Sequence, residues 1–487
     1  MMPYDAVIIG SGLGSLLCGV ILSREGYRVC IVEKNAKIGG CLQSMQRNGC
    51  IFNTGIHHIG SLDEGQILHQ YFKYFGLAGK IDVQRLDENG YDVVGFGDDG
   101  STYPLAMGAA FADSLARRFP GDRHALEQYI TMLKDVCMSL PFYALDASLS
   151  GTVFEKPYLS ASAGQYLRSL TGNTRLQQVL SGNDLTYGTI SDKTPLLLYS
   201  LINHSFIESS WRMAGNSEQI SNILAAEIRA AGGTILCRRT AKRFIIEKGI
   251  AKAVVLHTGE EVEGTQFISG VHPQVTLQMI AEGDIKNSYR QRIESLQNTS
   301  GLFVVHAVLK DRAFPFRNHI YHHYNKHHTW PAKFMMAPIG NEHNGYVRAV
   351  SLFANMEFAD IKPWEHTTVG HRDASYQEFK IRKAEQLMEA VEQNFPGFRQ
   401  LVANYYTTTP LSYRDHTGTP DGSAYGILKD CDRPLSTMVF PRTGISNLLL
   451  TGQNVYFHGM VGVSIGAAAT CSELLDARYL IDKIKGS

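Results

Sequence analysis

Glycine residues near the start of the chain have the spacing that binds the phosphates of a dinucleotide. The apolar run at residues 4–9 leads into a turn that contains Gly10 and Gly12, and a helical pattern follows at once. Gly10 permits a tight turn after the strand, and Gly12 lets the backbone approach a pyrophosphate. The N–H groups and the positive dipole end of the helix then face the phosphates. The predicted phosphate site consists of Gly10, Gly12, Leu13, Gly14 and Ser15, with Ser15 where a third glycine usually permits close packing of the helix on the strand.

A carboxylate ends the second strand of this predicted βαβ unit. Glu33 follows the apolar strand at residues 28–32 and lies 23 residues after Gly10. A carboxylate at this distance accepts hydrogen bonds from a ribose hydroxyl and repels a 2'-phosphate, so the pattern disfavours NADP. Strand, turn, helix, strand and acid all occur in register. We therefore favour a dinucleotide site over a purely structural glycine turn.

A glycine pair beyond the acid extends the pattern, and a second turn follows at residues 53–60. In this stretch the chain resembles the FAD-dependent amine-oxidase and phytoene-desaturase superfamily, whose members run from the ribose acid into such a glycine pair along the cofactor. The resemblance implies FAD, held in an extended conformation. The cofactor contacts that it implies are Lys34, Gly39, Gly40, Cys41, Gly55, Ile56 and His57, with Ala241 farther along the chain.

A second polar turn lies near the end of the chain, at residues 451–455, and a helix of small residues is predicted to start at Gly462. The free N–H groups of such a helix stabilise the negative charge that a reduced flavin carries around N1 and O2. The alternative is a Gly/Ala-rich helix that serves packing, and the two interpretations are compatible. The candidate cofactor residues here are Gly452, Gln453, Val461, Gly462 and Val463.

Within the superfamily, the resemblance narrows to retinol saturase and the carotenoid-isomerase-like desaturases. The matching stretches are residues 52–60, 187–188, 211–219, 451–455 and 459–462. The chain departs from these relatives at Asn53, where they commonly carry Asp, and at Met213 and Ala214, where they carry a proline and a second glycine. The resemblance implies an FAD-dependent oxidoreductase that exchanges hydride between flavin N5 and an apolar polyene or isoprenoid substrate, in a desaturation, saturation or isomerisation.

Saturation of a carbon–carbon double bond also needs a proton donor. The candidates are His57, His58, His204 and Tyr187. Each has a structural alternative, because His57 or His58 can simply contact the flavin and His204 can be a satisfied histidine within a helix. No second glycine-rich fingerprint is present, so a built-in NAD(P)H site is not supported. We expect an external electron donor or acceptor of unknown identity.

Length and resemblance together predict two domains. A chain of 487 residues is too long for one compact core, and its hydrophobic content of 44% is ordinary for a globular protein. The resemblance implies an α/β fold, with an FAD-binding Rossmann-like domain of the glutathione-reductase type and an inserted α+β substrate domain. We predict that residues 1–75, 205–285 and 410–487 form the first domain. Residues 76–204 and 286–409 then form the second, with a helical lid.

Charge and cysteine content exclude several classes of function. Lys plus Arg equals Asp plus Glu at 46 each, so nucleic acid is not expected as a partner. The eight cysteines are scattered without a CxxC pair, which indicates a reducing cytoplasm. We expect neither a targeting signal nor a transmembrane helix, since no apolar run reaches about 18 residues. Peripheral membrane contact stays open, because apolar residues at 106–145 form either a lid on a bilayer or internal core.

Five histidines are expected in a loop at residues 314–338, between two strands of the substrate domain. They are His319, His322, His323, His327 and His328. Paired histidines without cysteine or carboxylate at ligand spacing are more often loop residues than metal ligands, so no metal is predicted.

Two rival functions share the predicted architecture. The first is an oxidase of amines or of a porphyrin-like ring, for which Tyr456 and Phe457 would form part of an aromatic cage. The second is a non-catalytic carrier of prenyl lipids, like the Rab escort and GDP-dissociation-inhibitor relatives. The intact phosphate turn and Glu33 predict a yellow protein, whereas a colourless protein that fails to take up FAD would favour the carrier.

Overall fold

The structure is a computed structural model that describes residues 2–149, 156–188, 192–325 and 329–487. The strands are β1 (Tyr4–Ile9), β2 (Val29–Val32), β3 (Ser44–Arg47), β4 (Cys50–Asn53), β5 (Ile59–Gly60), β6 (Val83–Arg85), β7 (Asp92–Phe96), β8 (Thr102–Leu105), β9 (Ser210–Met213), β10 (Thr234–Leu236), β11 (Ala241–Glu247), β12 (Ile250–Leu256), β13 (Glu261–Ser269), β14 (Gly301–Leu309), β15 (Ile320–Tyr324), β16 (Lys333–Ile339), β17 (Ala349–Met356), β18 (Val402–Thr408) and β19 (Leu448–Leu450). The helices are α1 (Leu13–Arg24), α2 (Ile67–Phe75), α3 (Ala110–Ala116), α4 (Arg123–Cys137), α5 (Pro141–Ala144), α6 (Ala163–Leu170), α7 (Thr174–Leu180), α8 (Leu196–Glu208), α9 (Glu218–Ala230), α10 (Pro273–Gln278), α11 (Asn287–Glu294), α12 (Phe358–Ile361), α13 (Ala374–Asn394), α14 (Phe398–Leu401), α15 (Pro410–Thr417), α16 (Pro434–Thr437), α17 (Gly459–Cys471) and α18 (Ala477–Lys485).

The first sheet carries the glycine turn. Its strand order is β10-β2-β1-β13-β12-β11, and β19 pairs with β13. Strands β10, β2, β1, β13 and β19 are parallel, which explains why β1 and β2 are continuous apolar runs covered on both faces. Helices α1, α9 and α17 pack together beside this sheet. The parallel strands end at the same edge, so the turns after β1, β13 and β19 meet there.

The second sheet is mostly antiparallel, with the order β18-β14-β17-β16-β15-β7-β8. Strand β14 is buried along its whole length. One face of the sheet packs on the apolar side of α13, through Phe379, Leu387 and Val391. A third, small sheet, β5-β9-β6, lies between the two larger sheets in the chain order. The α/β fold with an inserted α+β part is confirmed, while the exact domain bounds stay a prediction.

The predicted histidine loop is wrong for residues 320–324 and 333–338, which belong to strands, whereas His319 lies in a bend just before β15. Residues 320–324 and 333–339 form β15 and β16, an antiparallel pair, and β15 also pairs in parallel with β7. His322 and His323 are both buried within β15. Polar side chains such as these are typical of a loop. Here strand pairing buries both histidines, and the ring of His323 also packs against Phe334. His327 and His328 lie outside the described residues.

The apolar residues at 106–145 belong mainly to the core. Phe111, Phe119, Leu140 and Tyr143 are buried, and Met138 is the one large apolar side chain of residues 106–145 that is exposed. The aromatic side chains that suggested a membrane-dipping lid therefore pack internally. Within the described ranges, no helix is both long enough and apolar enough to cross a bilayer.

Candidate active site

The phosphate turn has the backbone geometry that its glycines predict. Gly10 has φ +85°, in the left-handed region that favours glycine. A Cβ on Gly12 would meet nothing within 4 Å, whereas a Cβ on Gly14 would stand 2.6 Å from the Cα of Gly452. Gly12 therefore leaves open space above the turn, and Gly14 lets α1 approach the turn after β19. The first turn of α1 has no side-chain cap, so its N–H groups are free to meet an anion.

Ser15 fits in place of a third glycine because the residue that faces it, Gly270, has no side chain. The Oγ of Ser15 would lie only 1.9 Å from a Cβ on Gly270, at the end of β13. Gly270 thus provides the space that a glycine at position 15 would otherwise provide. The Ser15 hydroxyl is buried and has no hydrogen-bond partner among the described residues.

Glu33 is buried and fixed to the phosphate turn. Its Oε2 accepts hydrogen bonds from the backbone N–H of Ser11 at 3.0 Å and from the Ser11 hydroxyl at 2.6 Å, and its Oε1 accepts one from the N–H of Asn35 at 2.7 Å. These charge-assisted bonds orient the carboxylate and leave acceptor capacity for a ribose hydroxyl. Lys34 points away, with its Nζ 3.3 Å from the carbonyl oxygen of Asp415. Burial lowers the pKa of Lys34.

The glycine pair lies directly on the phosphate turn. The N–H of Gly39 donates to the carbonyl of Ser11 at 3.0 Å, and a Cβ on Gly40 would stand 3.3 Å from the Cα of Gly12. Both glycines have positive φ. Ala241, the first residue of β11, follows Arg239, whose N–H donates to the carbonyl of Glu33 at 2.8 Å. Ala241 therefore lies two residues from a direct backbone contact with Glu33.

The next predicted contacts continue this path. A Cβ on Gly55 would stand 2.7 Å from the Cβ of Cys41, so the second turn packs closely on the first. Ile56 is buried, and burial raises the pKa of the Cys41 thiol to about 11.

Helix α17 begins three residues earlier than predicted, at Gly459 rather than Gly462. His458 precedes it in an extended conformation, and a Cβ on Gly462 would stand 2.7 Å from the Cβ of Phe457. Val461 and Val463 are buried in the first turns of α17, and Gln453 is partly buried in the turn after β19. Gly452 has φ +91° and lies against Gly14. Small residues thus serve close packing here, and the start of α17 has no side-chain cap, which leaves its first N–H groups free.

The four candidate proton donors fall into two groups. His57 and His58 lie in the turn before β5: the His57 ring is 4.5 Å from the Phe353 ring of the second sheet, whereas the His58 ring stacks on Phe206 of α8 at 3.7 Å. Burial lowers the pKa of each of these histidines to about 4. Both are therefore neutral at physiological pH.

His204 and Tyr187 lie in the helical part of the chain. His204 is within α8, with Nδ1 2.8 Å from the hydroxyl of Tyr143. Burial lowers its pKa, and Glu208 opposes that effect. Tyr187 is buried with its ring 6.0 Å from that of Tyr199, and burial raises its pKa well above the usual value. Its phenol therefore stays protonated.

Sequence reasoning did not predict the burial of three ionisable groups, Asp92, His322 and Lys429. Asp92 and His322 are almost completely buried beside His58. Lys429 donates to the carbonyl of Asn454 at 2.8 Å, and burial lowers its pKa to about 7, with Arg292 acting in the same direction. Asp92 has the sequence appearance of an ordinary strand edge, and Lys429 that of a surface lysine. Only the tertiary fold reveals their burial.

Comparison with known proteins supports the dinucleotide-binding domain and the overall fold described above. Residues 8–75 match the family model of an NAD(P)-binding Rossmann-like domain. The structure of a putrescine oxidase with a redesigned cofactor site superimposes with a TM-score of 0.67 over 100% of both chains at 14% identity, which shows the fold. The chain thus shares the fold of that oxidase, and its N-terminal part matches a dinucleotide-binding domain.

Similarity in sequence is more specific than similarity in fold. The all-trans-retinol 13,14-reductase of Danio rerio is 26% identical over 541 residues, which cover 98% of this chain and 86% of that protein. Prolycopene isomerase 1 of an Oncidium hybrid cultivar is 21% identical over 524 residues, with 99% and 85% covered. The resemblance predicted from the sequence is confirmed, and so is the prediction of an oxidoreductase.

Proposed function

We propose that the protein is an FAD-dependent oxidoreductase that exchanges a hydride between flavin N5 and a carbon of an apolar polyene, with retinoids or carotenoids as the substrate class. The observation that carries the proposal is similarity along the whole chain to a retinol reductase and a prolycopene isomerase. That similarity occurs in a chain whose phosphate turn and ribose carboxylate are intact. Saturation, desaturation and isomerisation are all compatible with it.

The residues present fit FAD. The open space above Gly12 and the uncapped start of α1 suit the pyrophosphate, and Glu33 suits the ribose hydroxyls. Val461 and Gly462 at the start of α17 suit the flavin ring. FAD supplies a centre at N5 that accepts or donates a hydride. The chain supplies the orientation of both reactants and a site from which water is excluded.

The packing between the sheets supports an apolar substrate. Met335 and Phe353 of the second sheet belong to the same buried apolar cluster as Phe457, Met460 and Val461 at the start of α17. Apolar side chains from both parts of the molecule therefore share one continuous core with the start of α17. A long hydrocarbon gains free energy by burial against such a surface, at about 25 cal/mol per Å² of apolar area.

The rival functions have less support. The amine-oxidase neighbours share only 13–14% identity, so they inform the fold and not the substrate. Tyr456 packs its ring against Phe440 at 5.7 Å and against Phe457 at 6.2 Å, with the latter two rings tilted by 35° rather than facing each other as a parallel pair. A lipid carrier has no need for the intact phosphate turn or for a buried Glu33. We also propose an external electron partner, a cytoplasmic location and, as an open point, peripheral contact with a membrane.

The test begins with the colour of the purified protein and identification of the cofactor released on denaturation. We expect FAD, and we expect the Glu33→Arg variant to lose it, because a guanidinium replaces the acceptor for the ribose. Glu247→Arg, a charge reversal at an exposed position of β11, is the matched control and should retain FAD. The wild type is photoreduced without oxygen and mixed separately with all-trans-retinol and prolycopene, while the oxidised protein is mixed with putrescine. Reoxidation of the reduced flavin by a polyene, or conversion of a polyene by either redox form, supports the proposal. Reduction of the oxidised flavin by putrescine, with neither polyene converted, overturns it.

A further inference from the structure

Three ionisable side chains from distant segments meet in a buried cluster, which we call the His–Asp–His cluster: His58, Asp92 and His322. His58 precedes β5, Asp92 is the first residue of β7 and His322 is in β15. Asp92 Oδ1 is 3.8 Å from His58 Nδ1, and Asp92 Oδ2 is 3.3 Å from His322 Nε2. The exposed fractions of the three side chains are 5%, 0% and 1%.

The charge of this cluster must balance internally. A carboxylate that is removed from water is strongly unfavourable without a positive partner. Across the described residues, the ion-pair partners of Asp92 are the two histidines, and no lysine or arginine pairs with it. His319 and Tyr91 interact electrostatically with Asp92, and Tyr91 also packs its ring against that of His58 at 5.9 Å. Arg317 and Asp87 act on His319 rather than on the cluster itself. The cluster is therefore neutral when it holds one proton more than a carboxylate and two neutral imidazoles.

Hydrogen bonding indicates where this proton lies. The Ser210 hydroxyl donates to the carbonyl of Phe206 at 2.8 Å, so His58 Nε2–H must be the donor in its 2.8 Å contact with Ser210 Oγ. The Nδ1 of a neutral His58 is then an acceptor that faces the acceptor Oδ1 of Asp92. A separation of 3.8 Å suits two acceptors, whereas the shorter 3.3 Å contact on the other side suits an ion pair without an aligned hydrogen bond.

The pKa shifts agree with this arrangement. Burial lowers the pKa of His58 to about 4, so this ring is neutral. Burial alone would raise the pKa of Asp92, but His322 and His58 outweigh it and the pKa is lowered. Asp92 is then ionised, and charge balance assigns the extra proton to the His322 side of the carboxylate. The Nδ1 of His58 remains free to receive it.

We propose that His58, Asp92 and His322 form a buried proton store that delivers one proton through His58 when the enzyme saturates a carbon–carbon double bond. This inference rests on the proposed function. In the reaction, one carbon gains a hydride from reduced flavin, which is oxidised, and the adjacent carbon gains the stored proton. The cluster becomes one unit more negative and is refilled from water past His319, which is partly exposed. Asp92 and His322 are positioning residues, because they act through His58.

The first test measures the store itself and does not depend on turnover. The holoprotein is labelled with ¹⁵N-histidine, and its imidazole nitrogens are observed between pH 6 and pH 9. We expect one doubly protonated ring that persists at pH 9, where ordinary histidines with a pKa of about 6.5 are neutral. Asp92→Asn should remove this signal. A wild type without a persistent imidazolium overturns the proposal.

The second test measures proton delivery. The holoprotein is reduced without oxygen and mixed with all-trans-retinol, and flavin reoxidation is followed at several pH values in H₂O and D₂O. Asp92→Asn should slow reoxidation by about 100-fold and alter its pH dependence, without loss of FAD. Asp63→Asn is the matched control, since its carboxylate pairs with Arg85 and Trp211 rather than with histidine, and its rate should stay within about twofold of the wild type.

The outcomes separate the two proposals. If Asp92→Asn does not fold, His322→Gln provides the same comparison, because it removes the proton-bearing side of the cluster and retains the carboxylate. An unchanged rate and unchanged pH profile in a folded variant that retains FAD overturn the proton store. If no polyene reoxidises the wild type, the proposed function fails, and the ¹⁵N measurement still decides whether the store exists.

Discussion

The phosphate turn and the His–Asp–His cluster differ in burial and in the part of the polypeptide from which they are built. The turn is partly exposed at Gly10 and Gly12, and its proposed cofactor binding depends on the backbone: the positive φ of Gly10, the open space at Gly12 and the contact of Gly14 with Gly452. The cluster is buried, and its proposed role depends on side chains, since His58, Asp92 and His322 come from three separate segments.

This difference determines how each region tolerates change. A backbone site fails when a side-chain atom enters space that only glycine leaves free. A buried ionisable cluster fails when its charge no longer balances, even if its shape is retained. Substitutions that alter shape should therefore affect the first region most, and substitutions or pH changes that alter charge should affect the second.

The largest effect should come from replacing glycine by alanine in the phosphate turn, where Gly12 and Gly14 should respond differently. Gly14→Ala places a Cβ 2.6 Å from the backbone of Gly452, so we expect the free energy of unfolding to fall by about 3 kcal/mol. Gly12→Ala meets no atom within 4 Å, so stability without cofactor should be unchanged while FAD affinity falls about 100-fold. Chemical denaturation and FAD titration measure the two quantities. Equal destabilisation by both substitutions would show that the turn does not separate folding from cofactor binding.

The second prediction concerns the effect of pH on His306, a buried histidine of β14 that is not part of the His–Asp–His cluster. Burial, with a smaller contribution from His57, lowers the pKa of His306 from 6.5 to about 3. The unfolded chain therefore takes up a proton below pH 6.5 that the folded chain rejects, and stability falls as the pH decreases from 6.5 towards 3. Each such histidine contributes a slope of at most about 1.4 kcal/mol per pH unit.

His306→Gln should reduce this slope by about 1 kcal/mol per pH unit, as measured by denaturation between pH 6.5 and pH 4. The control is His366→Gln, since the His366 side chain is 93% exposed and should leave the slope unchanged. If both variants retain the wild-type slope, His306 is not held in its neutral form by burial.

The same contrast explains what the sequence could predict. The phosphate turn and Glu33 lie within one contiguous stretch, and each residue type has a local reason, so the cofactor site could be predicted from spacing. The predicted start of α17 is three residues too late. His458 is extended and the helix begins directly after it, at Gly459, and residue spacing does not reveal that conformation. The histidine-rich strand was predicted as a loop because its polar side chains are buried only by partners far away in the chain.

Asp92 shows the limit most clearly. Alone in the sequence, it precedes an apolar strand and resembles a solvated strand edge. Its burial depends on the parallel pairing of β7 with β15, whose register sets Asp92 opposite Ile320, and on the turn that carries His58. Long-range pairing of this kind has no local sequence signal.

The smallest effect should come from the pair Ser15 and Gly270, where backbone and side-chain control meet. Ser15→Ala removes a buried hydroxyl without a described partner, so we expect stability to rise by about 1 kcal/mol. Gly270→Ala alone should cost about 2 kcal/mol, because its Cβ would lie 1.9 Å from the Ser15 Oγ. In the Ser15→Ala background, that cost should fall by about 1 kcal/mol, which a double-mutant cycle measures. If the two changes are additive, Gly270 does not provide the space for Ser15. If Ser15→Ala instead weakens FAD binding, the Ser15 hydroxyl contacts the cofactor. The phosphate turn then depends on a side chain as well as on its backbone.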